Sequence, residues 1–207
     1  DEVNLKQIAA LGLPFWLAGT YGSPEQLKAA LAEGATGVQV GTAFALCQES
    51  GLTPSIRRTL VEQALQGKAT IFTDPQASPT GFPFKVAKLA GSLSEPEVYN
   101  ARQRICDIGL LRELYRKEDG SIGYRCPAEP EATYVAKGGD AADTVGRKCL
   151  CNALIANVGM PQIRQDGSIE LPLVTLGDDV VGIPRFCDGD NPDFSAADVM
   201  RVLLEKA

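Results

Sequence analysis

Two glycine–threonine pairs are the residues of this chain best suited to chemistry. Gly19-Thr20 follows the apolar run Pro14-Phe15-Trp16-Leu17-Ala18, and Gly41-Thr42 follows Gly37-Val38-Gln39-Val40. Glycine allows close approach to the backbone, successive N–H groups form an anion nest, and a threonine hydroxyl adds a donor. A single strand ending in Gly-Thr is more often only a tight turn. Two such ends on neighbouring parallel strands are a different matter, because the loops after the last two strands of a parallel α/β barrel commonly hold a phosphate. The pair therefore reads as a site for a phosphorylated cofactor.

The other reactive side chains are six cysteines, with Cys47 in the first half and Cys106, Cys126, Cys149, Cys151 and Cys187 in the second. Cys149-Leu150-Cys151 with Cys106 and Cys126 could supply the four thiolates of a zinc or iron–sulfur site, although the spacing lacks the paired C-x₂-C pattern. The preferred reading is plain reduced cysteines acting as small buried hydrophobes, with no metal. Arg147 and Lys148 could lower the pKa of Cys149 or Cys151. Histidine is absent, which excludes Ser-His and Cys-His pairs and histidine metal ligands within the chain. No catalytic residue is assigned. Glu49-Ser50 and Asp178-Asp179 read as surface or cap residues, and Arg57-Arg58 as a solvated helix face.

The elements that position the glycine–threonine pairs are legible. Ser23-Pro24-Glu25-Gln26 provides a capping hydroxyl, proline at the first helical position and a glutamine able to complete a capping box. Leu27, Ala30 and Leu31 form the buried stripe of that helix, and Gly34 ends it. Strand, helix and strand between Pro14 and Thr42 make a βαβ unit with parallel strands, in which Trp16 is expected to be core packing. Leu5, Ile8 and Ala9 form a helical stripe that stops at Gly12. A further helix opens at Thr53-Pro54, carries Ile56, Leu60, Ala64 and Leu65, and closes at Gly67. The β-prone run Thr70-Ile71-Phe72-Thr73 follows. After it comes a loop with three prolines, Asp74 to Phe84, read as a connector, with closure over a pocket by Phe82 and Phe84 as the functional alternative. From about Ser92 the alternation fades into an irregular extension with a few helices, a hairpin near Gly120 and a last helix capped by Ser195, with Asp198 in its first turn and Val199, Val202 and Leu203 on one face.

The 207 residues, 44% hydrophobic and 22% charged, suit a globular protein of one or two domains. The net charge of −6 argues against a nucleic-acid partner. No apolar run approaches the roughly 20 residues of a membrane span, and no signal segment opens the chain. A cytoplasmic location is expected.

The segments PFWLAGTYGSPEQL, GATGVQVGTAFALCQESG and TDPQASPTGFPFKV resemble the carboxyl-terminal part of the nitronate monooxygenase family, also called 2-nitropropane dioxygenase-type flavoproteins. GRKCLCNALIANVG resembles an extension found in one branch of it. The resemblance implies an α/β fold, the carboxyl-terminal portion of a TIM (β/α)₈ barrel plus an irregular, mostly helical and loop extension. It divides the chain into residues 1–91, the last barrel units, and 92–207, the cysteine-containing extension. About six strands would precede Asp1, and this segment alone would fold poorly; the missing amino-terminal half, or a homo-oligomer, would complete it. The implied cofactor is FMN, its phosphate on Gly19, Thr20, Gly41 and Thr42, and the implied reaction is oxidation of an alkyl nitronate with molecular oxygen. The family usually has a second glycine where this chain has Thr20, so a slightly different turn is expected there. Two alternatives remain open: a flavin-dependent enoyl reductase of fatty-acid or polyketide synthesis, and a noncatalytic cysteine-bearing metal-binding or interaction module.

Overall fold

The computed structural model describes residues 3–205. Their contacts divide into two compact units, one made of the residues up to Ile71 and those from Leu176 onward, the other of Phe72–Thr175. Position 91 falls inside the second unit. The segment from Leu176 returns to the first because its apolar side chains, Val180, Ile183, Phe186, Val199 and Leu203, are buried there. Helices and small sheets together make an α/β chain, and the described residues form no closed barrel.

In the first unit, α1 (Leu5–Ala9) is capped by Asn4, whose side chain accepts from the Gln7 amide at 3.2 Å. Gly12, at φ +69°, turns the chain into β1 (Trp16–Ala18). The connecting helix α2 (Pro24–Ala32) begins as the sequence predicts, with Ser23 Oγ accepting from the Gln26 amide at 3.2 Å and proline at the first turn. β2 (Gly37–Gln39) then pairs with β1 in parallel, Trp16 opposite Gly37 and Ala18 opposite Gln39. The βαβ unit is therefore present, with each strand shorter than its apolar run. Two expectations about its burial are corrected. Trp16 is 56% exposed, because a two-stranded sheet leaves one face uncovered; the indole lies instead along Gly37, where a Cβ would come within 3.2 Å of the ring. Leu31 is also exposed, while Leu27 and Ala30 are buried.

A short helix that periodicity did not reveal, α3 (Thr42–Leu46), starts directly at the second glycine–threonine pair. α4 (Pro54–Leu65) buries Ile56, Leu60, Val61 and Ala64 against α3 and the 3₁₀ segment Asp178–Phe186. The carboxyl-terminal helix Ala196–Leu204 carries a full capping box between Ser195 and Asp198 and buries Val199 and Leu203, with Val202 half-buried. Glu49 caps the same helix from outside, accepting from the Ala196 amide at 2.9 Å.

Arg57 is not on a solvated face. It is buried and donates to Asp193 Oδ1 at 2.8 Å, while the exposed Arg58 donates to Oδ2 of the same carboxylate at 2.8 Å. A buried guanidinium has to be paired, and the partner lies 136 residues away, beyond the reach of any local pattern. The two cations hold the Asp193 carboxyl below its usual range. A lowered folded value means stabilisation that is complete above the unfolded aspartate value, about 3.9, and lost as pH falls through the lowered one. Asp193→Asn is expected to cost about 2 kcal/mol at pH 7 and to flatten the acid limb of the melting temperature below about pH 4. An unchanged acid limb in the variant would refute this account.

The second unit opens within β3 (Ile71–Asp74), whose first residue is counted with the first unit and which pairs with β4 (Phe84–Ala87). The proline-containing loop between them is a fixed connector. Asp74 Oδ1 accepts from the amides of Gln76 and Ala77 at 2.9 and 3.0 Å, and Arg147 Nη1 donates to the carbonyls of Gln76 and Ser78 at 2.9 and 2.7 Å. Phe82 stands 72% exposed, and Phe84 packs against a cluster of Val86, Leu93, Leu150, Ala153 and Leu173. α5 (Pro96–Ala101) adds Tyr99 to that cluster. The expected hairpin is present, with β5 (Glu113–Arg116) antiparallel to β6 (Ile122–Arg125) and Gly120 at φ +80° in its turn. α6 (Glu131–Ala136) and α7 (Leu150–Ala156) complete the unit. No described helix is long and apolar enough to cross a membrane.

Candidate functional site

The parallel register brings the two glycine–threonine pairs together. Ala18 faces Gln39, so Gly19-Thr20 and Gly41-Thr42 leave the same carboxyl edge of β1 and β2. Gly19 has φ +110°, which an L side chain rarely adopts. No other residue type with φ in that range occurs among the described residues, so Thr20 has ordinary backbone and the turn needs only one glycine. That accounts for the threonine where the resembling family usually has a second glycine.

Gly41 is different. Its φ of −103° suits any residue, and a Cβ built on it meets no atom within 4 Å. Nothing in the fold requires glycine there; its effect is to leave the amide edge beside Thr42 uncovered. Among the described residues the amides of Thr20 and Thr42 find no hydrogen-bond acceptor. Gly19, Thr20 and Gly41 are exposed, whereas Thr42 is buried and its Oγ1 accepts from the Gly177 amide at 3.0 Å. The Thr42 hydroxyl keeps its own proton for donation.

Three residues to which the sequence reading gives no part in the site also touch these turns. Arg185 Nη1 donates to the Gly22 carbonyl at 2.6 Å, and Asp179 packs so closely on Gly22 that any Cβ there would collide with its Oδ2. Asp179 and Arg185 stand 3.9 Å apart as an ion pair. Burial pushes the Asp179 carboxyl up, against the opposing pull of Arg185. Asp179 thus lies half-buried in the first turn of the 3₁₀ segment, where the sequence reading makes it a surface or cap residue, and it also braces the Gly22 turn. Gly177 is held to glycine by Thr42, whose Oγ1 would lie 2.7 Å from a Cβ. Spacing carries no signal for any of these, since they lie more than 130 residues downstream of the turns.

The cysteines are distributed otherwise. All six are free, with Cys47 and Cys126 buried, Cys106 exposed and the rest between. Cys106, Cys126 and Cys149 line a cavity of about 270 Å³ in the second unit with Arg104, Arg112 and Lys137. Among the described residues no group of three or more histidine, cysteine, aspartate or glutamate side chains converges as a metal site would require. Burial pushes the Cys126 thiol up to about 11 and raises that of Cys149. The cation facing Cys149 is Arg102; Arg147 is engaged by the loop carbonyls, and Lys148 lies over the Tyr99 ring at 4.3 Å. Desolvation outweighs that cation, so Cys149 is not an activated thiol.

The class defined by this geometry is a βαβ unit with uncovered backbone donors on its carboxyl edge. Residues 4–79 match the nitronate monooxygenase family model, a family of flavin-dependent oxidoreductases. The matched stretch runs from α1 through both glycine–threonine turns to the loop after β3. No curated protein matches the chain.

Proposed function

We propose that residues 4–79 form the phosphate-binding end of an FMN-dependent oxidoreductase of the nitronate monooxygenase type, acting on an alkyl nitronate with molecular oxygen. The observation that carries this reading is Gly41, a glycine with ordinary backbone angles and open space around it, on the same sheet edge as Gly19. A ligand approaching the backbone gives such a glycine a reason that the fold does not. In this reading the amides of Thr20 and Thr42 donate to phosphate oxygens, and the Thr42 hydroxyl, steadied by Gly177, adds a third donor. Gly19 and Gly41 keep the approach clear. FMN would supply the electron-transfer chemistry, and the protein would bind, orient and exclude water. β1 and β2 alone cannot enclose a cofactor, so polypeptide outside the matched stretch would supply the remaining strands of the barrel. The free thiols suit the reducing cytoplasm.

The test is a flavin absorbance spectrum with an FMN titration, on the 207-residue chain and on the protein with its encoded upstream sequence. FMN binding that appears with the upstream sequence, followed by oxygen uptake with an alkyl nitronate, is the expected result. No binding in either form would overturn the flavoenzyme reading.

A further inference from the structure

We propose that Arg185 and Asp179, which lie far outside the matched stretch, are positioning residues for the phosphate of the cofactor. The inference rests on the flavin reading of the two turns. Each turn leaves a short strand; the first runs from Gly19 to Ser23 before α2 begins, and the second passes directly into α3. The 3₁₀ segment Asp178–Phe186, with the glycine that precedes it, touches both turns. Gly177 donates its amide to Thr42 Oγ1 in the second, and Arg185 donates to the Gly22 carbonyl in the first, two residues after Thr20. Asp179 closes the arrangement by lying against Gly22 and pairing with Arg185. Gly182 makes room for both side chains, since a Cβ there would meet the Arg185 guanidinium and come within 2.9 Å of Asp179 Oδ1.

One segment therefore contacts both turns whose amides, in the flavin reading, meet one phosphate. Its own packing is apolar and independent of the polar contacts: Val180, Ile183 and Phe186 are buried. Arg185 and Asp179 are partly exposed, so their roles can be separated from those of the core beneath them. The charges also have opposite consequences. Arg185 holds the Gly22 carbonyl and brings positive charge to its side of the turn, whereas Asp179 balances that arginine at the cost of a negative charge near a bound anion.

Three variants, made in the protein with its upstream sequence, test the assignment by FMN titration with thermal melting in parallel. Arg185→Met, which keeps an unbranched apolar stem and removes the guanidinium, is expected to weaken FMN binding at least about tenfold through misplacement of the turn and the unpaired Asp179 carboxylate. Arg185→Lys keeps a donor and a charge and is expected to restore most of the affinity. Asp179→Asn keeps the packing on Gly22, removes a negative charge beside a bound anion and is expected to bind FMN about threefold more tightly than the wild type. Opposite signs for the methionine and asparagine variants, with melting temperatures that do not follow the same order, support positioning. Wild-type affinity in Arg185→Met overturns this inference and leaves the flavin reading intact. Equal loss in all three variants, tracking the melting temperature, also overturns it, since a merely structural role gives that pattern. A wild-type protein that binds no FMN overturns the flavin reading, and this inference with it.

Discussion

Replacing Glu170 with alanine is expected to destabilise the second unit by about 3 to 5 kcal/mol, which is a large part of the 5 to 15 kcal/mol that typically stabilises a folded domain. Glu170 is 1% exposed at its side chain and takes two buried guanidiniums, Arg102 and Arg164, which are 4% and 6% exposed. Arg102 forks onto both carboxylate oxygens, with Nε to Oε1 at 2.9 Å, and Arg164 Nη2 reaches Oε2 at 2.8 Å. Two cations share one anion, and Arg102 Nη1 and Arg164 Nε are already buried without a hydrogen-bond partner among the described residues. Removing the carboxylate leaves two buried charges, of which Arg164 keeps only the Gln103 carbonyl as acceptor at 3.0 Å. Urea denaturation of Glu170→Ala gives the measurement, and a loss below about 1 kcal/mol would refute the assignment. The compensated variant Arg102→Met, Arg164→Met, Glu170→Leu is expected to recover most of the loss, because apolar side chains of similar volume need no partner.

A valine at position 41 should separate binding from folding. The backbone there suits a side chain, and no protein atom lies within 4 Å of the new Cβ, so the melting temperature is expected to stay within a few degrees of the wild type. FMN binding should fall about a hundredfold or more, because the branched side chain occupies the space through which a phosphate would reach the Thr42 amide. A Gly41→Val protein that folds and still binds FMN normally would remove the observation on which the proposed function rests. Position 19 does not offer so clean a test, since φ +110° strains any substituent whether or not a ligand is bound.

The ends of local elements were legible because their causes are local. Ser23 and Ser195 cap the helices that follow them, Gly120 turns the hairpin, and the βαβ unit follows from short apolar runs flanking an amphipathic stretch. The candidate site was legible to the same extent, since both glycine–threonine pairs lie just beyond strands whose parallel pairing the intervening helix required. Burial was harder to read. Trp16 has the composition of a core residue and stands exposed, because burial depends on what covers the sheet and no residue of β1 records that. Arg57 has the composition of a surface residue and is buried, because Asp193 meets it from across the chain.

The sequence by itself determined where the backbone turns, which helix joins the two strands and which amides stand at their ends, all consequences of residues within a few positions of one another. Only the tertiary structure decided what braces those ends. Gly177, Asp179 and Arg185 reach Thr42 and Gly22 across more than 130 residues, and Glu170 gathers Arg102 and Arg164 from different parts of the second unit. The physical reason is the nature of the interactions: capping and strand propensity act along the chain and leave a periodic trace, whereas pairing a buried charge or fixing a loop carbonyl needs only a partner in space, and any position that the fold brings near can supply it.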